Sequence, residues 1–125
     1  QVHFLGFVER NVLVALYREA LALTYVSWCG PENLPPLEAF ALGCPVVATR
    51  IPGAEEQLGN AALFCEPGDP QSIADAILRL SSDSGLRRHM IEAGHIQAKR
   101  ASPDSYVAGV FKFLDEFAAI RRCWP

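Results

Sequence analysis

The sequence predicts one α/β domain: a parallel sheet of about four strands with helices packed around it. Two observations carry that expectation. Short, β-rich apolar runs alternate with amphipathic helical stretches along the chain. One of those runs, "LALTYVS" (Leu21–Ser27), is almost continuously apolar, the pattern of a strand buried on both faces. The 125 residues suffice for one compact domain and no more, so residues 1–125 are read as a single unit.

In chain order, "VHFLG" (Val2–Gly6) reads as a short strand ended by glycine. In "NVLVALYREA" the residues Leu13, Leu16, Tyr17 and Ala20 form one helical face. Leu21–Ser27 is the second strand. "PPLEAFALG" is a short helix, with Pro36 suited to its first turn, Leu37, Phe40 and Ala41 on one face, and Gly43 suited to the position after its end. "CPVVAT" (Cys44–Thr49) is the third strand, "AEEQLG" a helical turn closed by Gly59, and "AALFCE" the fourth strand. Asp69 and Pro70 then start a helix expected to turn Ile73, Ala74, Ile77 and Leu78 inward. A second helix spans about Ser84 to Lys99, and Ser102 with Pro103 starts a third carrying the apolar stripe Tyr106, Val110, Phe113, Phe117 and Ile120.

Composition narrows the function classes. Half of the residues are hydrophobic and 20% charged, an ordinary globular balance. A net charge of -3 provides no basic face for nucleic acid. No apolar run reaches the roughly 18–20 residues of a membrane span, and the opening residues lack a signal-peptide pattern. Cys29, Cys44, Cys65 and Cys123 lack metal-ligand spacing and have apolar neighbours, so they read as reduced, mostly buried cytoplasmic thiols. His89 and His95 are wrongly spaced for a shared ligand face, His3 reads as packed in a strand, and no D-x-D motif is present, so no metal or other cofactor is expected. Cys29 has no histidine nearby in sequence to make it a nucleophile. The last helix lacks the basic polar face of a membrane-surface helix.

Ligands of parallel sheets bind outside the carboxyl ends of the strands, and the loop "SWCGPENLPPLE" lies there. Pro35 and Pro36 stiffen it, Asn33 tolerates unusual backbone angles, and the following helix N-terminus favours an anion. Glu38 is expected in the first helical turn. On physics alone it has two readings: an acceptor for two adjacent sugar hydroxyls, or a charge that complements the helix dipole.

The stretch "PENLPPLEAFALGCPVVAT" resembles the donor-binding signature E-G-F-G-L-P-x-L-E-A-M-A-x-G-x-P-V-V-A-S of the group 1, GT-B-fold retaining glycosyltransferases. "VHFLGFV", "LYREALALTYVS" and "IPGAEEQLGNAALFCEPGDPQSIADAILRL" are similar to further segments of that family, in the same order. The resemblance implies a Rossmann-like sheet forming part of a GT-B C-terminal domain. It implies transfer of a hexose from a nucleotide diphosphate sugar to an acceptor hydroxyl. It places the ribose-binding glutamate at Glu38, the backbone amides that meet hexose and diphosphate at Glu32, Asn33 and Leu34, and the base-holding loop at Phe7 and Val8. The family's other glutamate falls on Gly30, a departure that bears on sugar binding; Glu32 is either its substitute through a shifted loop or a solvated charge. Glu55 and Glu56 lie near a further acidic position of the family to which no role is given.

The arginine and lysine that grip the diphosphate in this family, in a G-R-x-x-x-x-K-G segment, have no counterpart here. Gln1 is therefore expected to be an internal residue of a longer enzyme whose N-terminal half supplies the acceptor site, and the isolated chain is expected to be inactive. An unpaired edge strand and the apolar last helix are expected to recruit that half or a second copy of the chain. The alternative from a different class is a stand-alone, non-catalytic Rossmann-like nucleotide-binding or assembly module, which Gly30 favours.

Overall fold

The computed structural model describes residues 1–29 and 34–122. Helix α1 (Arg10–Glu19) leads into β1 (Leu23–Tyr25), α2 (Leu34–Ala41), β2 (Val46–Thr49) and α3 (Ala54–Leu58). A single 3-10 turn then leads into β3 (Ala62–Cys65), followed by α4 (Pro70–Ser82), α5 (Ser84–Arg100) and α6 (Pro103–Arg121). The three described strands form one parallel sheet in the order β1-β2-β3, with Leu23 opposite Val46 and Val46 opposite Ala62.

Strand alternation sorts the core into two layers. Val46 and Ala48 point to one face, where they meet Ala39, Phe40, Leu58 and Ala61, with Ala93 and Ala98 of α5 against them. Val47 and Cys65 point to the other, where Ala76 and Leu80 of α4 and Met90 of α5 cover them. All four residues of β2 are buried, as expected for a central strand of a parallel sheet. Helices α2 and α5 approach closely because α5 has Gly94 at the contact: a Cβ there would lie 2.9 Å from Phe40 Cδ1. The turn out of α2 is a Schellman motif. Gly43 at φ +75° donates to the Phe40 carbonyl and Cys44 to the Ala39 carbonyl, which swings the chain directly into β2. Asp69 caps α4 by accepting the Gln71 N–H at 2.9 Å, and Ser102 caps α6 by accepting that of Ser105 at 3.1 Å, each with proline next in sequence.

The α/β, Rossmann-like expectation holds, with four corrections. Val2–Gly6 is not a strand, so the described sheet has three strands rather than about four. A strand exists only with a partner for its backbone. Val2–Gly6 has no such partner among the described residues, and Phe4 and Phe7 stay exposed. Second, β1 is Leu23–Tyr25 rather than Leu21–Ser27, because its only described partner, β2, pairs with it over those three residues. Third, α2 begins at Leu34, so Glu38 is in its second turn, too far from the N-terminus for a strong dipole contact. Fourth, the inward residues of α4 are Ile73, Ala76, Ile77 and Leu80; Leu78 is 64% exposed, 100° per residue carrying it off the Ala76–Leu80 line.

Candidate functional site

The site is assembled where the strands end. The connection from β1 begins with Val26, Ser27, Trp28 and Cys29, and Thr49 at the end of β2 ties it to the sheet. Thr49 Oγ1 donates to the Ser27 carbonyl at 2.6 Å and accepts the Ser27 N–H at 3.0 Å. Ser27 Oγ donates to the Cys29 carbonyl at 2.6 Å and accepts the Cys29 N–H at 3.2 Å. Thr49 is buried, and these bonds satisfy its hydroxyl.

Around this knot lies an open cavity of about 200 Å³, lined by Val26, Ser27 and Trp28 after β1, Thr49 of β2, Pro67 and Gly68 after β3, and Pro70 and Ile73 of α4. It therefore sits at the carboxyl ends of all three described strands, the place where ligands of such sheets bind. Trp28 stands beside Gly68, whose φ is +77°; a Cβ at Gly68 would come within 3.0 Å of Trp28 Cη2.

Glu38 is exposed on α2, and its Oε2 accepts a hydrogen bond from the Tyr17 hydroxyl of α1 at 3.5 Å. Tyr17 packs by its ring against the core. Burial first, and then the Glu38 carboxylate, push the Tyr17 hydroxyl's pKa up, so it remains a donor at ordinary pH. Leu34 is the exposed first residue of α2. Phe7 is fully exposed and Val8 half-buried in the segment before α1, and among the described residues no hydrogen bond joins either to Glu38. Gly30, Glu32 and Asn33 lie outside the described residues. Arg50, after β2, pairs with both Glu55 and Glu66 and lies 5.4 Å from the centre of the Phe64 ring, which gives Glu55 a surface ion pair of small energetic weight. Among the described residues no three of His, Cys, Asp and Glu cluster as metal ligands, and no helix is long and apolar enough to cross a membrane.

The model of the family "Glycosyl transferases group 1" matches residues 1–97. This chain belongs to that family. Among curated proteins, group 1 similarity extends to an O-antigen chain mannosyltransferase B of Escherichia coli, 34% identical over 81% of this chain and 26% of the relative. A D-inositol 3-phosphate glycosyltransferase of Corynebacterium urealyticum is 39% identical over 81% of this chain and 24% of its own length. The chain thus spans about a quarter of the length of these relatives. Sucrose-phosphate synthase from Thermosynechococcus elongatus has the same fold over 94% of this chain and 30% of its own, with a TM-score of 0.75 at 24% identity. The group 1 match ends within α5, so α6 lies outside it.

Sequence reasoning named Glu38 and Leu34 in this group 1 chain but missed Tyr17, Trp28, Thr49 and Gly68. In the sequence Tyr17 reads only as one member of a helical face with Leu13, Leu16 and Ala20. Gly68 sits in the turn "PGDP", which signals a loop but not the indole it faces.

Proposed function

We propose that this chain forms the donor-binding surface of a retaining glycosyltransferase, one that moves a hexose from a nucleotide diphosphate sugar to an acceptor hydroxyl. The observation that carries the reading is Glu38. Its carboxylate is exposed on the helix that follows the β1 connection and is steadied by Tyr17. A carboxylate so placed accepts hydrogen bonds from the two hydroxyls of a ribose, charge-assisted contacts worth about 1.5–3 kcal/mol each. In this reading the backbone amides of Glu32, Asn33 and Leu34 meet the hexose and the diphosphate, the backbone of Phe7 and Val8 holds the base, and no metal is needed. The residues act together as one nucleotide-sugar-binding domain in the cytoplasm, where such donors are found.

Transfer requires fixed positive charge on the departing diphosphate. Arg50 is engaged by two carboxylates, so the chain alone is expected to bind donor without transferring sugar. In this reading the diphosphate-gripping cations come from an earlier segment of the same C-terminal half, and the acceptor site from an N-terminal half of the enzyme.

Isothermal calorimetry with UDP, GDP and ADP tests this. One of them should bind saturably, and Glu38→Ala should weaken it about tenfold or more. Equal affinity in wild type and variant would refute the ribose role. A second reading, a non-catalytic nucleotide-binding or assembly module, is favoured by Gly30 in place of the signature glutamate. The gene sequence upstream of Gln1 separates the two: a G-R-x-x-x-x-K-G segment behind another α/β half supports the enzyme, and a start codon directly before Gln1 supports the module.

A further inference from the structure

Tyr17 carries a hydroxyl where a plain phenyl ring would pack as well. The residue is half-buried and rests on the core layer that holds Ala39 and Phe40. Phenylalanine would give the same packing without a polar atom to desolvate. The hydroxyl instead donates to Glu38 Oε2, 21 residues along the chain, at 3.5 Å. Such a bond does little for stability, because Glu38 is exposed and water competes for its carboxylate. Among the described residues it is nevertheless the one hydrogen bond from α1 to another element.

What the bond changes is the carboxylate. The backbone around Glu38 is fixed, since Pro36, Ala39 and Phe40 are all buried. An exposed glutamate side chain still samples many rotamers. A donor held by a packed ring removes part of that freedom before any ligand arrives. It also divides the acceptor sites. A carboxylate has about four lone-pair positions. Tyr17 takes one on Oε2, and those that remain suffice for the two hydroxyls of a ribose. Tyr17 stays protonated in this arrangement, because burial and then the Glu38 carboxylate raise its pKa. At 3.5 Å the bond is long, with room to shorten as a ligand closes on the carboxylate. We infer that Tyr17 is a positioning residue that sets ribose specificity: its hydroxyl aims the Glu38 carboxylate at the adjacent ribose hydroxyls, so that the site tells ribonucleotides from nucleotides lacking them. The inference rests on the donor-binding reading and assigns its ribose selectivity in part to a residue that does not touch the ligand.

The test is a double-mutant cycle in the full chain, with wild type, Tyr17→Phe, Glu38→Ala and the double variant. The probes in calorimetry are UDP, GDP and ADP, and the 2′,3′-dideoxy form of whichever binds best. Tyr17→Phe keeps the ring and its packing. It should weaken the ribonucleotide about two- to tenfold, the scale of one net hydrogen bond, and leave the dideoxy form unchanged. On the Glu38→Ala background the same change should have no effect. Undiminished discrimination in Tyr17→Phe would overturn the inference. So would an equal loss for both nucleotides, the mark of a merely structural role, or an equal loss with and without Glu38. A second measurement needs no ligand. Followed by NMR at the tyrosine ζ carbons, the Tyr17 pKa should fall in Glu38→Ala. An unchanged value would mean that the two side chains do not meet, and would overturn the positioning. If wild type binds no nucleoside diphosphate, the donor reading fails and the ribose role falls with it. A Tyr17 titration that still responds to Glu38 would then place the failure in the donor reading and not in the contact.

Discussion

Helices α2 and α6 carry similar sequence signals and meet opposite fates. Each starts near proline and shows aromatic and aliphatic residues at helical spacing. Phe40 of α2 is 1% exposed, wedged between β2 and Gly94 of α5, whereas Phe113 of α6 is 64% exposed. Every described side chain of α6 is exposed. Periodicity tells which face of a helix is apolar; only an opposing element makes that face a core. Helix α1 is intermediate, resting on the core through Tyr17 and Ala20 while Val12, Leu13 and Leu16 stay largely outside. We propose that the apolar faces of α6 and α1, or the edge of β1 that pairs with no described strand, recruit a second copy of the chain; light scattering at high micromolar concentration should show species larger than a monomer, and a monodisperse monomer would contradict this.

The contrast gives matched tests, from the largest effect down. Phe40→Ala should cost about 3–5 kcal/mol in denaturant unfolding, through lost burial and a cavity between α2 and α5. The same change at Phe113 should stay within about 0.5 kcal/mol. A comparable loss at both would mean that α6 is covered in solution. Next come two glycines. Gly94→Ala pushes a methyl into Phe40 and should destabilise by about 1–3 kcal/mol. Gly109→Ala in α6 meets nothing within 4 Å and should stabilise by up to about 1 kcal/mol through helix propensity. Thr49→Val keeps the shape of β2 but unties Ser27, and should cost about 1–2 kcal/mol while broadening the amide signals of Val26–Cys29.

The smallest expected effect is pH-dependent. Burial pushes the Cys44 and Cys65 thiols above the ordinary range, so the folded state favours the protonated form. Their contribution is fully present below the unfolded thiol pKa of about 8.5 and is lost as pH rises through the folded value. The denaturation midpoint should therefore fall at alkaline pH, and fall less in a Cys44→Ala, Cys65→Ala double variant. An equal fall in both proteins would assign it to other groups. Exposed Cys29 should react with a thiol reagent far faster than either buried cysteine.

Much of the body was legible because its signals are local. Asp69, Ser102 and Gly43 act through bonds within a few residues, and capping chemistry reads directly from sequence. The buried run of β2 likewise declares a central strand. What failed is what depends on partners far along the chain. Val2–Gly6 has strand composition but pairs with no strand among the described residues, and β1 keeps only the residues that face β2. At the site, Glu38 was found through its signature, but the Tyr17 hydroxyl meets it across 21 residues. Trp28 and Gly68 meet only because β1 and β3 end on the same side of a parallel sheet, a fact of topology that neither loop encodes.

The central claim is that Glu38 reads the ribose of a nucleotide donor. The most direct measurement is calorimetric binding of the preferred nucleoside diphosphate and its 2′,3′-dideoxy analogue to wild type and Glu38→Ala. Wild type should discriminate against the dideoxy form by about tenfold or more, and the variant should not discriminate. Equal discrimination by both proteins, or none by wild type, would contradict it.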